Sequence, residues 1–125
     1  MKKHILLIEQ CPQGYKDFME VLAAINIDCK VTYTKDYRHG LEMLNYLSPD
    51  CIFMRIDINE ERAIECVKAI RDHPTLKASK LIVFDDEVTS SMIRRAISEG
   101  ADYCIDRPSS YGDINHLIKD VFNLN

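Results

Sequence analysis

Arg55 closes the apolar run Cys51-Ile52-Phe53-Met54, which opens after the turn signal Pro49-Asp50 and shows no polar alternation. Such a run reads as a strand buried on both faces, and Arg55 marks the place where it leaves the sheet. Ligands and chemistry collect at the carboxyl ends of strands in open parallel sheets, so the group standing there says most about function. A guanidinium neither loses its proton nor accepts a phosphoryl group. Three other apolar runs also end in charge: Ile5-Leu6-Leu7-Ile8 meets Glu9-Gln10, Leu81-Ile82-Val83-Phe84 meets Asp85-Asp86-Glu87, and Tyr103-Cys104-Ile105 meets Asp106-Arg107-Pro108. If the strands ending in Glu9 and Asp85 flank the one ending in Arg55, Arg55 meets both within ion-pair reach, and Asp85 can reach Arg107 from a strand on its other side. A pair at about 4 Å is worth roughly 4 kcal/mol at an effective dielectric of about 20. An arginine buried alone costs more than the pair gains. The expectation is a paired Arg55 that plugs the pocket, with binding of an anion such as sulfate or phosphate as the rival use.

Other chemistry is poorly supplied. The histidines at 4, 39, 73 and 116 have no metal-ligand spacing and read as surface or helix-end residues. The glycines at 14, 40, 100 and 112 are isolated, so no phosphate-cradling loop is visible. Asp85-Asp86-Glu87 reads as a solvated loop leading into a helix, because Arg55 and Arg107 would repel a cation from the same place. No metal ligand and no cofactor is expected. Five cysteines, odd in number and without a CxxC, read as reduced core residues, with Cys11 near the pocket mouth as a candidate reactive thiol.

The elements that position these residues follow from periodicity. Helical spacing carries Tyr15, Phe18, Met19 and Leu22 after Pro12; Leu41, Leu44 and Leu47 after Asp36; Ile64, Val67 and Ile70 from Glu60 to Asp72; Ile93, Ala96 and Ile97 after a Thr89 or Ser90 cap; and Ile114, Leu117, Ile118, Val121 and Phe122 after the Ser110-Asp113 box. Strand starts at 5, 29, 51, 81 and 103 leave room for a helical crossover each time. Five βα units with right-handed crossovers make an α/β fold of three layers, a doubly wound parallel sheet with helices on both faces. At 125 residues a single domain over 1–125 is expected. The net charge of −4 with scattered basic residues argues against nucleic acid, and the short apolar start against a signal peptide or membrane span. The expected location is the cytoplasm.

Taken together, Lys3 to Glu9, Gly40 to Leu44, Pro49 to Met54, Ala69 to Pro74, and Gly100 to Tyr103 through Arg107-Pro108 resemble, in order and spacing, the receiver domain of two-component response regulators. The resemblance implies a flavodoxin-like (βα)5 sheet of strand order 2-1-3-4-5. Receivers hold Mg²⁺ with an acidic pair after the first strand and are phosphorylated on an aspartate ending the third. A Thr or Ser after the fourth strand and a Lys before a Pro after the fifth assist. On this chain those positions fall on Glu9-Gln10, Arg55, Asp85 and Arg107, beside Pro108, so only Glu9 keeps a carboxylate where the family has one. The family's Pro-Gly loop is replaced by Asp57 to Arg62, with Asp57 and Glu60 spaced as a capping box, and its switch aromatic falls on Cys104, next to Tyr103.

The resemblance therefore implies a pseudo-receiver, a phosphorylation-independent signalling domain and not an enzyme, acting by protein–protein interaction as a monomer or weak dimer. The face receivers commonly use offers Met92, Arg95, Tyr103, Tyr111 and His116 as exposed contacts. Two rival functions are a conventional phosphorelay receiver using Asp57, two residues past Arg55 and off the pocket floor, and a small-ligand domain with an apolar cleft above the strand ends.

Overall fold

The computed structural model describes residues 2–56, 59–106 and 111–122, the last group by backbone alone at 111–115. Five strands, β1 (Lys3–Ile8), β2 (Cys29–Thr34), β3 (Cys51–Arg55), β4 (Lys80–Asp85) and β5 (Tyr103–Asp106), alternate with five helices, α1 (Pro12–Ile25), α2 (Tyr37–Met43), α3 (Glu60–Asp72), α4 (Ser90–Ser98) and α5 (Tyr111–Val121). All neighbours pair in parallel, in the order β2-β1-β3-β4-β5. This is the doubly wound flavodoxin-like order expected from the sequence. Among the described residues no helix is long and apolar enough to cross a membrane.

The unbroken apolar runs have a simple cause. Side chains alternate across a strand. Ile5, Leu7, Cys51, Phe53, Ile82 and Phe84 pack with Leu22, Ile118, Val121 and Phe122 on the α1/α5 side. Leu6, Ile8, Ile52, Met54, Leu81, Val83 and Cys104 pack with Leu44, Ile64, Val67, Ile70, Met92 and Ala96 on the α2/α3/α4 side. With both faces covered, the middles of the central strands leave no position for a polar residue, and polar residues stand only at the strand ends. Tyr103 joins the α1/α5 side while Cys104 joins the other, as strand alternation requires.

Three details differ from the sequence-based expectation. The second helix stops at Met43, shorter than the stretch to Leu47, and turns carry the chain on to β3. The cap of α3 is Asn59, whose side chain accepts from the Arg62 amide, and Asp57 lies outside the described residues. The phase of α4 is rotated: Met92 and Ala96 face the core, whereas Ile93 and Ile97, expected inward, are 38% and 44% exposed. Thr89 caps this helix through the Met92 amide, and Val88 packs on the core just before it, which turns the Met92/Ala96 stripe toward the sheet.

The cysteines behave largely as core. Burial pushes the Cys66 thiol up to about 12, and burial followed by Asp106 pushes Cys104 up to about 11. Cys51 is raised well above the ordinary range, again first by burial. Cys11 alone is exposed. In the native protein at neutral pH, Ellman's reagent is expected to react fastest at Cys11 and to leave Cys51, Cys66 and Cys104 protected until denaturant is added. Rapid native labelling of Cys66 would contradict this packing.

Candidate functional site

The register of the central strands brings the polar ends together. β1 and β3 pair through Ile8↔Met54, so Glu9 and Arg55 are the next residues on neighbouring strands, and both continue the alternation toward the α1/α5 face. β3 and β4 pair through Arg55↔Phe84, which puts Asp85 one step beyond Arg55. The Ile56 amide donates to the Phe84 carbonyl at 2.8 Å, and the Tyr37 hydroxyl donates to the Arg55 carbonyl at 2.5 Å. The backbone under the guanidinium is therefore held from both α2 and β4.

Among the described residues, Arg55 faces three carboxylates. Its Nη1 lies 3.3 Å from Glu9 Oε2, its Nη2 3.2 Å from Asp86 Oδ2, and its Nε 3.7 Å from Asp85 Oδ1. Glu9 is only 1% exposed, yet its charge is answered: Arg55 Nη1 and the Cys11 amide both donate to its carboxylate, the latter at 3.3 Å. Gly14 of α1 makes the space for it, because a Cβ there would lie 1.9 Å from Glu9 Oε1. For Arg55, burial opposes the charged form, but the attraction of Glu9, then Asp86 and Asp85, outweighs it and raises the pKa above its ordinary value. The guanidinium keeps its charge throughout.

Of the residues singled out in the sequence, Glu9, Arg55 and Asp85 are brought together, and Gln10 is half-buried beside them. Asp86 was read as part of a solvated loop; it is 70% exposed there and is also a direct partner of Arg55. Its signal was adjacency to Asp85 at a strand end. Arg107 and Pro108 lie outside the described residues, as does the expected Asp85–Arg107 pair. On the candidate partner face, Met92 is 1% exposed and is removed from the set of surface contacts, because it belongs to the buried stripe of α4. Arg95 bonds Glu61 of α3 at 2.5 Å, Tyr103 is partly buried, His116 is exposed, and the side chain of Tyr111 is outside the described residues.

The donor set does not suit a divalent cation. The guanidinium stands between Glu9 and Asp86, and a second positive centre there would be repelled. Among the described residues no group of three His, Cys, Asp or Glu side chains could hold a metal ion. An apolar cavity of about 70 Å³ lies between α1, the sheet and α5, bordered by Glu9, Phe18, Phe53 and Phe84. Ligand pockets usually run to about 300 Å³ or more, so this space gives the small-ligand reading little support.

A family model described as the response regulator receiver domain matches residues 5–119. Solved structures similar in fold include a response regulator from Thermotoga maritima, with a TM-score of 0.85 at 15% identity, covering 98% of this chain and 99% of that one. The receiver domain of a sensor histidine kinase from Pseudomonas aeruginosa, with a magnesium ion coordinated in its active-site cleft, has a TM-score of 0.81 at 14% identity, covering 98% and 99%. A phosphorylated cyanobacterial phytochrome response regulator has a TM-score of 0.78 at 19% identity, covering 97% and 91%. No curated protein shows significant sequence similarity to the chain.

Proposed function

The chain belongs to the response regulator receiver domain family, and on that premise we propose that it is a pseudo-receiver, a signalling domain that takes no phosphoryl group at the end of its third strand. Receiver domains are generally signalling modules that work through protein partners, so the finer question is what sets the signalling state here. The observation that carries the reading is Arg55 itself, standing at the carboxyl end of β3 and ion-paired to Glu9, Asp85 and Asp86. A guanidinium offers no nucleophilic oxygen, and its positive charge disfavours the metal that would neutralise an incoming phosphoryl group. Output then rests on recognition by a protein partner at the face of α4, β5 and α5. Among the described residues, Ile93 and Ile97 are the exposed large apolar ones there, and His116 is an exposed polar one. Apolar side chains that a fold leaves outside, near polar neighbours, are common anchors of interfaces.

Beryllofluoride with Mg²⁺ mimics a phosphorylated aspartate only where an aspartate and a cation site coexist. Added to this protein, the pair is expected to shift the melting temperature by less than about 1 °C, because ligands stabilise only in proportion to their binding. A clear, saturable rise that requires both components would contradict the reading.

A further inference from the structure

We infer that Arg55 is a tether that holds the connection between β4 and α4, and with it the first turn of α4, against the strand ends. This deepens the pseudo-receiver reading and rests on it: with no phosphoryl group to organise that connection, a fixed side chain does so, and the Ile93/Ile97 face is presented without a bound ligand. The connection is short, with only Asp86, Glu87, Val88 and Thr89 between the end of β4 and Ser90, the first residue of α4.

Both ends of that connection are pinned. At the strand end, Arg55 engages Asp85 at 3.7 Å and Asp86 at 3.2 Å, and the Asp86 amide donates back to Asp85 Oδ1 at 2.8 Å. In the middle, the Val88 amide donates to Asp106 Oδ1 of β5 at 2.8 Å, and the Val88 side chain packs on the core. At the helix end, Thr89 Oγ1 accepts from the Met92 amide at 3.1 Å. The guanidinium is the piece that links this chain of contacts to β1, through Glu9. Without it, Glu9, Asp85 and Asp86 would bring like charges together, and Asp86, its side chain 70% exposed against 2% for Glu9 and 32% for Asp85, is the one with room to move away.

The far end of α4 is held independently. The Ala101 amide donates to the Ala96 carbonyl at 2.9 Å, and Lys68 of α3 pairs with Glu99 at 3.8 Å. Loss of the tether should therefore loosen the first turn, where Ile93 lies, more than the last, and so change how the two isoleucines are aligned for a partner.

Amide hydrogen exchange on the full chain reads this directly, in the wild type, Asp86→Asn and Arg55→Met at neutral pH. Asp86 is 70% exposed, so Asp86→Asn leaves the core untouched and keeps the test interpretable if Arg55→Met folds poorly. Exchange at residues 87–93 is expected to quicken about fivefold in Asp86→Asn and at least about tenfold in Arg55→Met, with Val67, Ile70 and Ile82 unchanged in Asp86→Asn. Unchanged exchange at 87–93 in both variants would overturn the tether while leaving the pseudo-receiver reading standing. A phosphoryl group gained by the wild type would overturn that reading and leave the exchange result intact.

Discussion

Arg55→Ala is expected to lower the unfolding free energy by about 3 kcal/mol, the scale for removing one partner of a buried ion pair. The reason lies with the partner left behind. Glu9 is 1% exposed and is wedged between the strand end and Gly14, so it has no route to bulk water without moving α1. Arg55 is itself only 20% exposed, which keeps its attraction for Glu9 from being screened as a surface pair would be. The contributions of Asp85 and Asp86 are smaller, because both carboxylates reach solvent. Arg55→Lys should recover part of the loss: an ammonium keeps the charge but cannot meet Glu9 and Asp86 at once through a rigid fork. Urea unfolding of the three proteins measures the series. An Arg55→Ala protein as stable as the wild type would mean that the pair contributes nothing net to the fold.

Arg71→Ala should be equally costly, again about 3 kcal/mol, at the opposite end of the sheet. Arg71 donates to the Gly100 carbonyl at 2.6 Å, the Leu76 and Ser79 carbonyls at 3.0 Å each, and Asp102 Oδ2 at 2.7 Å. One guanidinium thus ties the end of α3 to the approaches of β4 and β5. Asp102 in turn accepts from the Leu81 amide at 2.8 Å, so its orientation serves the first hydrogen bonds of β4. Alanine would leave carbonyls and a carboxylate partly buried without their donor, and lysine lacks the planar fork to serve four acceptors. Gly100 belongs to the same clamp: its φ is +116°, and a Cβ there would lie 2.3 Å from Arg71 Cγ. Because Arg55 and Arg71 share no partner among the described residues and lie at opposite ends of the strands, their losses should add in the double variant. A stability loss below about 0.5 kcal/mol for Arg71→Ala, the range of ordinary surface changes, would contradict the clamp.

These two arginines show what could be read in advance. Arg55 and Glu9 were legible because strand runs, strand order and alternation together place them side by side, and a buried charge must find a partner. The same reasoning located β1, β3 and β4, since a strand covered on both faces has no room for polar residues in its middle, whereas the edge strand β2 was read from its alternation and β-branched residues. Arg71 was not legible: three of its four acceptors are backbone carbonyls, which every residue carries and no sequence pattern marks. The orientation of α4 was misread because two apolar pairs at i, i+4 spacing, Met92/Ala96 and Ile93/Ile97, compete for the inward face. Periodicity identifies the helix but not which stripe docks, and contacts made before the helix, at Val88 and Thr89, decide it. Asp86 escaped for a related reason, since its role depends on where a loop turns rather than on its own type.

On the pseudo-receiver proposal the position ending β3 takes no phosphoryl group, and intact-mass measurement after incubation with acetyl phosphate and Mg²⁺ tests this most directly. The wild-type mass should remain unchanged, with no modified peptide spanning Asp57 or Asp85-Asp86. A gain of one phosphoryl group on an aspartate, abolished by Asp57→Asn, would contradict the account and make the chain a conventional phosphorelay receiver.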